Sequence, residues 1–523
     1  MTLGWLDILV LVLYFGVTIG MGFFFARKNT DTEEYFLGGR SLPGWAIGLS
    51  LLGTSISSVT FVAFPADTFK TTWIRFLPHM VFPLVTLISA RLFLPFFRRG
   101  TISSAYEYLG ERYGGSISCY AASVFFLIQV IRTSTIVYLI SLLMQTITGL
   151  DIIYCILLSG GITAVYTTSG GFDAVIWTDV LQTLTLIFGS VLILIIISCN
   201  LPEGFSQIIS TGVEFNKFSF HQLAANGELQ PLAHGFSLSE KTVMMMLIVG
   251  FVNFLTGQFD QTAVQRWCSA KSAKEARRSI YFLMCSSLPV WGSFMLVGTA
   301  IWVYFHCFPD AAASQMLDGT RKAEEIVPYF VIHYLPPGIT GLVIAAAMAA
   351  AMSSLSSSIN AASMVWVRDI YRKFMVKDRD DKHYLRIGFV ASGVVSVLMM
   401  IGAYWLYTAP TKTLIDFGMI LNSLTMSGLA GVFLIGMFTR LADSRAVWAG
   451  ILFNMAFSGY ALLSDRALLP EALCIPFDLY FTSIVGNVIM IGVIVVAARF
   501  VWRSKKTNLK NLTFRDQEKT ALL

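Results

Sequence analysis

Charge is scarce in this chain: Asp, Glu, Lys and Arg make up only 13% of its 523 residues, against 55% hydrophobic. With a mean hydropathy of +0.69, so little charge excludes an ordinary soluble globular domain. Paired cysteine spacing is also missing. Cys119, Cys155, Cys199, Cys268, Cys285, Cys307 and Cys474 fit neither a zinc site nor a disulfide framework, so buried packing is expected of them. There is no phosphate-binding loop, histidine metal cluster or nucleophile elbow, and an enzyme is therefore not expected. The net charge of +6 is spread over alternating loops and forms no basic patch, so no nucleic-acid partner is expected. The N-terminus lacks a basic n-region and a clear cleavage site.

What is present is a succession of apolar runs of about 20 residues, the mark of a polytopic α-helical membrane protein embedded in a lipid bilayer. The runs predict about 13 helices, near 4–26, 43–66, 74–97, 118–148, 152–168, 172–199, 242–262, 279–306, 338–368, 384–407, 413–437, 445–463 and 478–502. Arg27 and Lys28 follow the first run, which sets the N-terminus outside and the C-terminus in the cytoplasm. On that topology the cytoplasmic side holds 25 of the 37 Lys and Arg, loop edges included, and the outer loops hold 7. The expected organisation is a transmembrane domain over 1–503 and a short, polar, disordered cytoplasmic tail over 504–523. No repeat is visible in the sequence itself. Two helices, however, look interrupted: "LLGTSISSVTF" in the second and "GFVNFLTGQFDQ" in the seventh. They lie five helices apart, as two inverted five-helix halves with broken first helices would place them.

A sodium ion crossing a membrane needs several oxygens to replace its water, and helix backbones offer spare carbonyls only where they break. Gly53 and the hydroxyls of "GTSISS" suit such a break, or else a kink with back-bonded hydroxyls. In "MSSLSSSIN", Ser356, Ser357 and Asn360 fall at i+3, i+4 and i+7 from Ser353, on one helical face. That face serves either helix packing or cation coordination. Asp179, near the start of the sixth helix, is either an interfacial acid or an intramembrane one facing a cavity, a cation or a basic partner, and could help to hold a second cation. Arg132 lies too deep in the fourth helix to snorkel. It either pairs with Asp179 or Asp260, or awaits an anion, for which its planar fork is suited. Arg75 and His79, four apart on the third helix, share a face. Arg75 either snorkels or lines a cavity, and His79 is either a hydrogen-bonded interior residue or pore-lining.

The stretches "EYFLGGRSLPGWAIGLSLLGTSISSVTF", "TISSAYEYLGERYG", "TSGGFDAVIWTDVLQ", "DQTAVQRWCSAKSAKEARR" and "MSSLSSSINAASMVWVRDIY" resemble the sodium/solute symporters, in order and over most of the chain. The resemblance implies a leucine-transporter-like fold of ten core helices, about 43–437, with sodium-driven alternating access. It implies a primary sodium site at Gly53, Ile56, Ser353, Ser356 and Ser357, and a second ion at Asp179. Within the family, the chain resembles the bacterial sialic acid symporters. By that likeness Arg132 grips a carboxylate, Ser55, Ser57 and Thr60 make hydroxyl contacts, and Asn253 makes a polar one. Arg75 and His79 stand where that branch has an aromatic residue and a glutamine, a departure whose added basicity still favours an acidic ligand. The expectation is a sodium symporter for a small organic anion, sialic acid or a related sugar acid, in a bacterial inner membrane. A neutral sugar or another carboxylate is the alternative within the class. A transporter-like sensor or channel is the alternative outside it.

Overall fold

Both helices that the sequence marks as interrupted are broken in the structure, a computed structural model that describes residues 3–98, 104–223, 229–408, 428–465, 468–477, 481–503, 509 and 511–515. The first core helix runs as α2 (Gly44–Ser55) and α3 (Ser58–Lys70), bent by 56°. Ile56 leaves helical geometry at φ −109° and ψ 107°, and the Ser57 hydroxyl then accepts from the Thr60 amide to start α3. A short hydroxyl side chain at that position satisfies an amide that a helix start leaves without a partner. The second core helix enters through a 3-10 segment, Trp73–Val81, before α4 (Phe82–Ile88). It is followed by α5 (Gly115–Thr148) and α6 (Ile152–Asn200). At 49 residues, α6 would be about 73 Å long, more than twice the hydrocarbon thickness of about 30 Å. Gly171, at φ 62° and ψ −155°, divides it into the two crossings expected over 152–168 and 172–199. A Cβ there would lie 2.8 Å from the Tyr35 ring.

The sixth core helix repeats the device of the first. α7 (Val243–Gly257) and α8 (Gln261–Ser269) meet at 56°, with the Asp260 carboxylate accepting from the Thr262 amide at 2.8 Å to start α8. Next come α9 (Ala273–Cys307), α10 (Ile339–Val365), α11 (Asp381–Thr408), α12 (Leu429–Phe438), α13 (Ser444–Asp465) and α14 (Thr482–Val496). Residues 413–427 of the expected helix 413–437 lie outside the described residues, as do 478–480 of the last.

α10 is the axle of the bundle. Its small residues let other helices close in on every side, and 89% of its most apolar stretch is buried. Its main partner is α6, where a Cβ on Gly189 would come within 2.7 Å of Ala346. The N-terminal end of α10 is fastened to α1 (Trp5–Ala26), the helix that precedes the core. The buried Asp7 accepts from the amides of Gly338 and Gly341 at 2.7 and 2.8 Å, taking up amides at the start of α10.

Two expectations change here. The tail is not wholly detached: Phe514 N–H donates to Met437 C=O at 2.8 Å, and its ring packs on Phe96 and Phe438. Leu509 and Thr513 are buried beside it, and the Leu512 carbonyl accepts from the Tyr108 hydroxyl at 3.2 Å. Of the seven cysteines, only Cys155 and Cys268 are buried, while Cys199 and Cys285 are exposed on their helices.

Outside the membrane, a hairpin pairs β1 (His221–Leu223) with β2 (Leu229–Pro231), His221 opposite Pro231. Just before it, Lys217 reaches under the end of α3. Its ammonium donates to the carbonyls of Thr68, Phe69 and Thr71 at 3.2, 2.8 and 3.0 Å and lies 4.5 Å from the Trp302 ring centre. Burial pushes its pKa down from 10.5 to about 7. Between those two values the unfolded chain binds this proton more tightly, so the stability contributed by the group rises with pH over that window. Lys217→Met should flatten the rise of Tm with pH above neutrality, measured by fluorescence-detected melting in detergent. An unchanged slope would assign the titration to other groups.

Candidate ion and substrate site

The break in the first core helix backs onto α10 and the second half of α6. A Cβ on Gly53 would lie 2.1 Å from Thr183 Oγ1 and 3.2 Å from Ser353 Oγ, so only glycine lets the three elements meet. Thr183 Oγ1 donates to the Leu49 carbonyl at 3.1 Å, which fixes α6 against α2. Ile56, extended at the end of α2, turns its carbonyl out of the helical ladder. On α10, Ser356 Oγ donates to the Ser353 carbonyl at 3.1 Å and lies 3.5 Å from Asp179 Oδ1. Ser353 Oγ is buried and has no hydrogen-bond partner among the described residues. Hydroxyls, freed carbonyls and one carboxylate are hard oxygen donors, the chemistry that suits an alkali cation taken up as cargo.

Asp179 is wholly buried, and its partner is not Arg132, the arginine weighed for it from the sequence. Arg266, on α8, places Nη2 2.9 Å from Asp179 Oδ2, 2.9 Å from Thr54 Oγ1 and 2.5 Å from Ser357 Oγ. Its Nε donates to Ser50 Oγ at 2.8 Å and its Nη1 to the Thr262 carbonyl at 3.0 Å. Ser50 Oγ in turn donates to Asp179 Oδ2 at 2.5 Å. Next door, Gln265 Nε2 donates to Phe36 C=O and Asn360 Oδ1, both at 2.6 Å. Arg266, Ser50 and Thr54 were missed in the sequence. The signal was an arginine in "DQTAVQRW", directly after the second helix break.

Arg132 is exposed on α5 and makes no hydrogen bond or ion pair among the described residues. Ser55, the last residue of α2, and Asn253 on α7 are exposed too. Ser55 Oγ donates to the Leu52 carbonyl at 2.6 Å, and Ser57 and Thr60 meet at the start of α3. Arg75 and His79 do not share a helical face. Trp73–Val81 is a 3-10 segment, and at three residues per turn a spacing of four points side chains about 120° apart. Arg75 is turned to Asp67 on α3 in a close ion pair. His79 is held between Phe64, Phe254 and Trp291, with ring centres 5.2, 5.4 and 4.5 Å away, and its Nδ1 lies 3.0 Å from the Arg75 carbonyl.

Comparison with known proteins identifies the family. The model of the sodium:solute symporter family matches residues 35–452. The sodium/sialic acid symporter SiaT of Proteus mirabilis (strain HI4320) is 30% identical over 460 residues, covering 86% of this chain and 88% of its own. A solved Na+-coupled sialic acid symporter, in a substrate-bound outward-open state described as revealing a novel Na+-site, superposes with a TM-score of 0.84. The two are 26% identical, over 95% of this chain and 98% of that one. Mhp1, a nucleobase-cation-symport-1 family transporter, shares the fold at 13% identity and a TM-score of 0.52. Matched from Tyr35 to Leu452, the chain belongs to the sodium:solute symporter family, as a sodium-coupled secondary transporter of leucine-transporter-like fold rather than an enzyme.

Proposed function

We propose that this symporter imports a small organic anion, sialic acid or a related sugar acid, across a bacterial inner membrane with its N-terminus outside. The observation that carries this reading is Arg132. A guanidinium in mid-membrane is costly unless it meets water or an anion. Arg266 is paired with Asp179 and Arg75 with Asp67, whereas Arg132 has no ion pair among the described residues and is free to receive a carboxylate. Likeness to SiaT, whose printed name gives sialic acid as its solute, supports the same choice. Ser55, Ser57, Thr60 and Asn253 supply hydroxyl and amide contacts around the sugar, and His79 contributes to the aromatic wall. Gly53, Ile56, Ser353, Ser356 and Ser357 hold sodium, and Asp179 brings negative charge to its edge. Sodium orders the broken helix, the anion then favours closure, and each ligand tightens the other.

The test is uptake into proteoliposomes across sialic acids, uronates, neutral sugars and amino acids, with and without a sodium gradient. Sodium-driven uptake confined to the acids is expected. Uptake of a neutral sugar alone would overturn the anion assignment, and sodium-independent flux would favour a channel. Ser357→Ala should raise the sodium concentration for half-maximal uptake about tenfold, the weight of one lost ligand oxygen near 1.4 kcal/mol. An unchanged sodium dependence would return the serine face to helix packing.

A further inference from the structure

The two oxygens of Asp179 have different company. Among the described residues, Oδ2 takes Ser50, Arg266 and, at 3.4 Å, Ser357, whereas the hydrogen bond at Oδ1 is the long one from Ser356 at 3.5 Å. On the same helix as Ser356, one turn earlier, Ser353 Oγ is buried without a hydrogen bond among the described residues. One carboxylate therefore presents a guanidinium on one edge and unsatisfied oxygens, fit for sodium, on the other. Two cations on one buried carboxylate repel, so each weakens the other's hold.

Arg266 is also a strut. It stands on α8, the inner half of the sixth core helix, and grips Ser50 and Thr54 on α2, the inner half of the first. Through Asp179 and Ser357 the same guanidinium ties both half-helices to α6 and α10. We propose that Arg266 is a positioning residue that senses sodium at Asp179. With sodium at the Oδ1 edge its grip slackens and the inner half-helices are free to part. When sodium has left, the guanidinium draws them back together against the bare carboxylate. The pair thus favours inner closure of the empty carrier, the step that resets it to face outward. This inference rests on the sodium reading of the serine face.

The sharp consequence concerns which step fails. Net uptake needs the empty carrier to return, whereas exchange of internal for external solute shuttles only the loaded form. In proteoliposomes with radiolabelled sialic acid, or sodium-22 where sialic acid is not carried, Arg266→Gln should lower net uptake about tenfold more than exchange, a typical coupling factor. Sodium alone should stabilise the variant at a several-fold lower concentration, because its competitor is gone. Arg266→Lys keeps the charge but not the fork, and should recover part of the net-to-exchange ratio. Equal loss of net uptake and exchange, with sodium affinity unchanged, would make Arg266 a purely structural strut and overturn the proposal. Should Arg266→Gln not fold, the lysine variant decides by the same ratio. Failure of the sodium reading itself is seen separately, as Ser356→Ala, which removes no Arg266 partner, without effect on sodium affinity in the otherwise native chain.

Discussion

Arg132→Gln is expected to lower sialic acid uptake by about a hundredfold or more, the usual consequence of removing one member of a desolvated, charge-assisted pair. On the role proposed for Arg132, the loss should appear mainly as a raised KM, since a guanidinium that holds the substrate acts before any conformational step. Arg132→Lys should restore only a fraction, because an ammonium keeps the charge and loses the two-pronged match to a carboxylate. Sodium binding supplies the control. Arg132 makes no contact with the serine face among the described residues, so sodium should still raise the Tm of both variants. Initial rates over a range of sialic acid concentrations, with melting curves in sodium and in potassium, check both halves. A KM unmoved in Arg132→Gln would free Arg132 from the substrate and leave the anion assignment without its cation.

The elements that made this reading possible from sequence are those whose chemistry contradicts an oily helix. Gly53 with four neighbouring hydroxyls announced the first break. The serine run on α10 and the lone acid Asp179 announced what lies behind it, and all three meet in the structure. Arg266 stayed hidden because the sequence placed the end of its helix near residue 262. It then counted among the basic residues of a cytoplasmic loop. A break resets the direction of the chain, and α8 carries Arg266 back into the bundle to a side-chain exposure of 1%. The shared face assumed for Arg75 and His79 failed for a related reason. Apolar periodicity locates a span but does not tell an α-helical turn from a 3-10 turn when the segment is short and holds Pro78. The role of Asp7 on α10 was illegible too, since the Gly338 and Gly341 amides it accepts from there lie more than 300 residues away.

Asp179→Asn should be the most damaging single change to stability, because it leaves the Arg266 guanidinium buried and uncompensated at a cost of about 3–5 kcal/mol. The neutral amide can still accept from Ser50, so lost charge rather than lost shape accounts for the effect. Asp179→Asn combined with Arg266→Gln removes both charges together and should recover most of the lost stability, the mark of a coupled pair. Transport should not recover with it, since sodium has then lost its carboxylate. Sodium separates the two single variants. In Arg266→Gln the bare carboxylate attracts sodium, so added sodium should restore stability by binding the folded state. In Asp179→Asn the excess charge is positive, and sodium should do nothing for it. Melting curves of the four proteins over a sodium titration, with potassium as the ionic-strength control, read out the whole pattern. Equal rescue of both single variants by sodium would mean that the ion does not act at Asp179, and the carboxylate would be left with Arg266 as its only cation.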